Sequence, residues 1–228
     1  MRKLSHKNRY LLLLLALFGV MLLAPIVRQT PALSHMLHFA LTLLLAAGVY
    51  SVSSERKHFV AAAALGFLGV ALIAASSIVA ERPILLATLL VEITFFSFIA
   101  TLMLSRLVRE QTVSADTILG SVCVYLLIGV SFSFIFMTLE VLNPGSFTGL
   151  DPANGLPSEP TSFFLYFSFI TLSTVGYGDI APLTEFGRTL AALEGIVGQM
   201  YIAILVAHLV AIHTMQRRES LADDDTNN

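Results

Sequence analysis

The residues of this chain best suited to chemistry are Thr174–Asp179, which read TVGYGD. Gly176 and Gly178 stand at alternate positions. Glycine reaches positive φ without steric cost. Two glycines spaced in this way let successive peptides flip, so that neighbouring carbonyls point to one side where an ordinary strand alternates them. A ladder of carbonyls facing one axis can replace the water shell of a cation. Backbone of this kind is excluded from lipid unless it lines water or is buried in protein. The elements around it must therefore build a path or a protein wall.

Those elements are apolar. Of 228 residues, 56% are hydrophobic and 12% charged. A soluble domain so composed would aggregate, and the class expected is an all-α integral membrane protein. The net charge of -2 argues against a nucleic-acid partner. Cys123 is the single cysteine, set in an apolar run, and offers neither a disulfide framework nor a metal cluster. A spanning helix needs about 20 apolar residues. Segments meeting this lie at 10–27, 31–52, 58–80, 83–108, 115–142 and 187–213, six spans in all. The apolar stretch 161–173 is too short to span and reads as a re-entrant helix ahead of TVGYGD.

Basic residues set the orientation. Arg2, Lys3, Lys7, Arg9, Arg56, Lys57, Arg106, Arg109, Arg217 and Arg218 fall on one side of six spans, and Arg28, Arg82 and Arg188 on the other. The positive-inside rule places both termini in the cytoplasm of a multi-pass protein of the plasma or bacterial inner membrane. A cleaved signal peptide is the alternative for the first span, although no clear cleavage site follows it.

The organisation expected is a cytoplasmic N-terminus at 1–9, a four-helix unit at 10–108, a cytoplasmic linker at 109–116, a pore domain at 117–214 and a short tail at 215–228. "SRLVREQTVSAD", Ser105–Asp116, is a polar joint with Arg106 and Arg109 on one helical face, expected along the cytoplasmic surface. The stretch 143–160 is all turn chemistry and reads as an extracellular loop. The tail ends in ADDDTNN and is expected to be disordered, with no room for a soluble ligand domain.

With these elements placed, Thr174–Asp179 resembles the selectivity filter of tetrameric potassium channels. The resemblance covers roughly 115–214. It implies that the carbonyls of Thr174, Val175, Gly176 and Tyr177, with the Thr174 hydroxyl, hold dehydrated K⁺, and that four identical chains surround one path. Gly178 and Asp179 complete the filter. No cofactor or enzymatic activity is implied; K⁺ is the permeant ion. The re-entrant helix would aim its C-terminal carbonyls at the membrane centre and favour a cation there. Filter support is expected from Tyr166, Phe167, Thr171 and Ser173, and Phe163, Phe164, Tyr166, Phe167 and Phe169 would hold the loop apart at fixed diameter, with packing in an aromatic core the alternative for each ring. Many family members carry tryptophans at the positions of Tyr166 and Phe167; this chain has no Trp. By resemblance Tyr166 sits behind the filter and its hydroxyl can donate to Asp179.

The resemblance also places a gating hinge at Gly198, 11 residues past Gly187 or about 16 Å along a helix. A bend there would swing Ile202, Val206 and Val210 from the axis. Close helix packing is the alternative role of Gly195 and Gly198. Asp151, Glu159, Asp179, Glu185 and Glu140 are expected to gather outside, where such a field concentrates cations; for each but Asp179, which belongs to the motif, a solvated loop charge is the favoured reading. Glu194 can bond the back of the re-entrant helix, and Glu92, mid-span, can face His35 or His38. His208 and His213 lack the company of a metal site and are expected to pack.

Other classes compete. Six spans with a filter between the last two also resemble the voltage-gated plan, but that needs arginines at every third position of span four. Here Arg82 and Arg106 bracket the span with nothing basic between them. Related potassium transporters carry four filter copies, and this chain one. "GYGD", Gly176–Asp179, matches the G-x-G-D of intramembrane aspartyl proteases, whose second intramembrane aspartate is missing: Asp116 lies at a span end and Asp151 in a loop. A non-conducting or regulatory channel subunit and a weakly selective cation channel are the alternatives kept beside the potassium channel.

Overall fold

The computed structural model describes residues 9–23, 56–78, 81–110, 112, 114–150 and 160–226. Among the described residues six helices follow one another: α1 (Arg9–Leu23), α2 (Arg56–Ile78), α3 (Arg82–Leu107), α4 (Ala115–Leu142), α5 (Pro160–Leu172) and α6 (Glu185–Thr226). Among the described residues there is no strand, only one isolated antiparallel bridge between Phe147 and Pro182. Helices α2, α3, α4 and α6 are long and apolar enough to cross a membrane, whereas α1 and α5 are shorter apolar helices. The expected span at 31–52 lies outside the described residues.

Local chemistry sets the ends. Pro83 opens α3, where its missing N–H is no loss. Ser114 caps α4: its hydroxyl accepts from Thr117 N at 3.2 Å, and Ser114 N donates to Thr117 Oγ1 at 3.4 Å. Within the helices, the hydroxyls of Thr88, Thr94, Ser121, Ser131 and Thr138 each donate to the carbonyl four residues back. Polar side chains in apolar helices are satisfied in this way without leaving the element.

Helix α4 is the hub. It packs against α3, α1, α5 and α6, and α2 lies on the far side of α3. Phe96 of α3 stacks on Phe134 of α4 with ring centroids 5.6 Å apart. Gly120 of α4 lets Tyr10 and Leu107 approach closely. At the other end of α4, Arg82 Nη2 donates to the carbonyls of Val141 and, at 2.7 Å, Leu142. A cation thus meets the negative end of the α4 dipole.

Two expectations are corrected. The tail after Thr214 is not disordered: α6 continues to Thr226. Residues 215–222 contain no glycine or proline and are rich in helix formers, so the helix carries on after its apolar face ends. At the joint, Arg106 and Arg109 do not share one helix either. α3 stops at Leu107, and Arg109 N and Glu110 N close single turns on the carbonyls of Arg106 and Leu107.

Candidate ion pathway

Helix α5 ends at Leu172, and the chain folds back on its last turn. Ser173 N donates to Phe169 O, Thr174 N to Thr171 O, and both Val175 N and Gly176 N to Ile170 O. The loop is thereby tied to the carbonyl end of α5. Thr174, Gly176 and Gly178 have φ of 60°, 52° and 80°. Val175 and Tyr177 between them do not take positive φ. Left-handed residues thus alternate with ordinary ones over five positions, the pattern that turns successive carbonyls to one side. Thr174 is the one described non-glycine residue at positive φ, a costly place for a β-branched side chain. Its Oγ1 donates to Ser173 O at 2.7 Å and accepts from Gln199 Nε2 of α6 at 3.3 Å.

The far end of the loop is held separately. Tyr166 donates its hydroxyl to Asp179 Oδ2 at 2.8 Å. That bond, before any burial, raises the phenol above its ordinary pKa, so Tyr166 stays a donor as pH rises. Beyond Asp179 the chain pairs with the turn after α4. Thr148 N donates to Ala181 O at 2.9 Å, Ala181 N to Thr148 Oγ1 at 2.7 Å, and Leu183 N to Ser146 O at 2.7 Å. Arg188 Nε reaches Pro182 O at 3.2 Å.

That turn is built on Glu140, which corrects an expectation. Glu140 is not a charge at an outer mouth. It is 3% exposed, and its two oxygens accept from Gly145 N at 2.6 Å and Ser146 N at 2.9 Å. An acid next to a loop reads as a solvated charge in sequence, but two N–H groups of the tight turn lie within its reach. Asp179 and Glu185 are exposed, while Asp151 and Glu159 lie outside the described residues.

The aromatic residues of α5 divide. Phe164 and Phe167 are buried and meet Phe136 of α4 and Phe147 of the turn edge to face, with Phe167 4.9 Å from Phe136 and Phe164 5.3 Å from Phe147. Phe163 packs on Phe164, and Phe169 lies against Gly129. Phe167 therefore faces α4 and the turn, and of this group it is Tyr166 that bonds to the loop. Thr171 Oγ1 and Ser173 Oγ donate to the carbonyls of Phe167 and Phe169, ties local to α5.

Helix α6 runs through Gly195 and Gly198 without interruption. Gly198 lies against the last residue of α5: a Cβ there would collide with Leu172 O and come 2.9 Å from Leu172 Cδ1. A Cβ on Gly195 would meet Thr171 O at an ordinary 3.8 Å. The missing side chain of Gly198 serves close packing in this conformation. Glu194, 0% exposed, meets the Ser168 hydroxyl of α5 through Oε1. Glu92 is buried against Gly69 of α2, where a Cβ would come 2.8 Å from Glu92 Oε1; His35 and His38 lie outside the described residues. His208 lines an apolar cavity of about 240 Å³ between the end of α3, the start of α4 and α6, and His213 is exposed.

Sequence reasoning missed Gln199, Ser168 and Gly129. None carries a signal of its own; each matters through a contact made only when α4, α5 and α6 meet. One chain leaves much apolar surface uncovered. Val175 and Tyr177 are 52% and 73% exposed, and Leu193, Ile196, Met200, Ile204 and Val210 of α6 are exposed as well.

A family model described as "Ion channel" matches residues 153–214. The chain is 31% identical over 86 residues to the potassium voltage-gated channel protein shk-1 of Caenorhabditis elegans, which covers 33% of this chain and 16% of that one. It is 33% identical over 104 residues to the voltage-gated potassium channel regulatory subunit KCNF1 of Rattus norvegicus, covering 43% of this chain and 19% of the relative. It therefore spans under a fifth of either of these proteins. With Protein LctB of Bacillus caldotenax it shares 32% identity over 115 residues, 49% of this chain and 84% of the relative. No solved structure matches significantly. The matched segments and the near-complete coverage of the last relative establish that the chain belongs to the potassium channel pore family, a family of ion channels and not of enzymes.

Proposed function

We propose that four copies of this chain surround one path and conduct K⁺ passively and selectively across a cell membrane. The observation carrying this reading is the alternation of left-handed residues at Thr174, Gly176 and Gly178. In this reading the carbonyls of Thr174, Val175, Gly176 and Tyr177 and the Thr174 hydroxyl coordinate the ion, and α5 is re-entrant, entering and leaving by the outer face. The chain spans the membrane six times, with both termini in the cytoplasm. The exposed Val175, Tyr177 and apolar face of α6 support the assembly, since an apolar surface of this kind calls for a covering neighbour. Ile202, Val206 and Val210 form the inner gate, with Gly198 as its pivot.

The second reading is a regulatory, non-conducting subunit, favoured by the similarity to a relative of that description. Purified protein in liposomes decides between them. The expected result is a complex of four 24.7 kDa chains whose reversal potential in mixed salt follows K⁺ and not Na⁺. Equal permeability would make it a weakly selective cation channel. An intact tetramer without flux would favour the regulatory reading.

A further inference from the structure

Behind the loop lies a junction of three helices that the ion path itself does not use. The Ser168 hydroxyl of α5 sits between two oxygens, the Gly129 carbonyl of α4 at 2.7 Å and Glu194 Oε1 of α6. Both approaches are at hydrogen-bond distance. A serine hydroxyl has one hydrogen, and neither a carbonyl nor a carboxylate has any to give. One hydrogen shared between two acceptors makes two weak bonds, whereas a second hydrogen lets each contact be a full one. Of the groups at this junction, Glu194 is the one that can carry the second.

We infer that Glu194 is a neutral carboxylic acid that donates to Ser168 Oγ while Ser168 donates to the Gly129 carbonyl, a relay from α6 through α5 to α4 that sets the position of α5 behind residues 174–179. The surroundings agree. Glu194 is 0% exposed, and among the described residues no cation pairs with it. A lone ionised carboxylate is strongly disfavoured in such a place. From α4 the titratable side chain facing it is Tyr125, whose ring lies 5.9 Å from that of Tyr201 on α6; from α5 it meets Ser168. Its Oε2 is buried with no hydrogen-bond partner among the described residues. That is tolerable for the carbonyl oxygen of an acid and costly for half of a carboxylate. Gly129 is what permits the approach, since a Cβ there would come 2.7 Å from the Phe169 ring.

Glu194 is thus a positioning residue. Its effect on conduction rests on the reading of the chain as a potassium pore; its proton does not. Infrared difference spectra of the full chain in liposomes, wild type against Glu194→Gln, should lose one protonated-carboxyl band at neutral pH. Ser168→Ala should shift that band. In flux assays Glu194→Gln, which keeps an N–H donor for Ser168, should retain K⁺ conduction, while Glu194→Leu should lose it. Raising pH should diminish the wild-type current and leave that of Glu194→Gln unchanged. If Glu194→Gln removes no carboxyl band, Glu194 is ionised and the inference fails, whatever the flux. Should that variant not fold, an unshifted band in Ser168→Ala overturns it equally. Normal conduction by Glu194→Leu refutes the positioning role. A band that behaves as expected in protein without K⁺ flux supports the proton assignment and sinks the channel reading alone.

Discussion

Tyr166 and Asp179 lie 13 residues apart and meet with hydroxyl against carboxylate at 2.8 Å. Tyr166 belongs to the last two turns of α5, and Asp179 follows the second left-handed glycine. The bond closes a loop whose other end is already fixed to the carbonyls of Ile170 and Thr171. Within one chain it is exposed, and it ties the end of the loop to α5.

Tyr166→Phe keeps the ring and removes the donor. Loss of current at constant stimulus should quicken roughly twofold to tenfold, the range a single net hydrogen bond covers. Unchanged kinetics in patch recordings would mean that the bond does not govern the conducting form.

Gly198→Ala should be felt beyond the gate. The added methyl meets Leu172 at the end of α5, and overpacking of that kind costs about 1–3 kcal/mol. Thermal unfolding in detergent should occur at lower temperature for Gly198→Ala and hardly change for Gly195→Ala. If Gly198→Ala is as stable as wild type yet opens less often, the glycine works as a pivot and the packing is incidental.

Glu140→Ala leaves Gly145 N and Ser146 N without their acceptor, a loss of about 1–3 kcal/mol for buried donors. Stability should fall while the dependence of conductance on ionic strength stays as it is. A change in that dependence without a stability loss would restore Glu140 as a charge at the mouth.

Conductance should depend only weakly on voltage. Work of about 2.3 kcal/mol per charge per 100 mV requires charges that move through the field. α3 has arginines only at its ends, and Arg82 is engaged with the end of α4. A steep conductance–voltage curve in the absence of blocking ions would contradict this.

The sequence made the apolar helices legible because runs of Leu, Ile and Phe of spanning length admit few other readings. It also marked the loop, since glycines at 176 and 178 have a backbone meaning of their own. The residue Thr174 was named but its positive φ was not, because residue preference argues against it for a β-branched side chain, and the fold-back of the chain onto Thr171 O puts it there. Glu140 was misread because its neighbours in sequence are turn residues, while its partners are their N–H groups. Ser168, Gly129 and Gln199 were invisible for a related reason: a serine, a glycine and a glutamine in apolar helices are ordinary until three helices meet. The helical tail was misjudged from its charge, although charge does not forbid a helix that an apolar segment has already nucleated.

Helix α6 is 42 residues long and contains no proline, giving a contour of about 63 Å. A hydrocarbon core is about 30 Å thick. The apolar stretch of α6 ends at Gln216, and the last ten residues carry the rod about 15 Å further. In mechanical terms it is a lever, with its short arm against Leu172 and a long arm running past the apolar stretch. A modest sideways pull on the long arm becomes a torque at the end of α5.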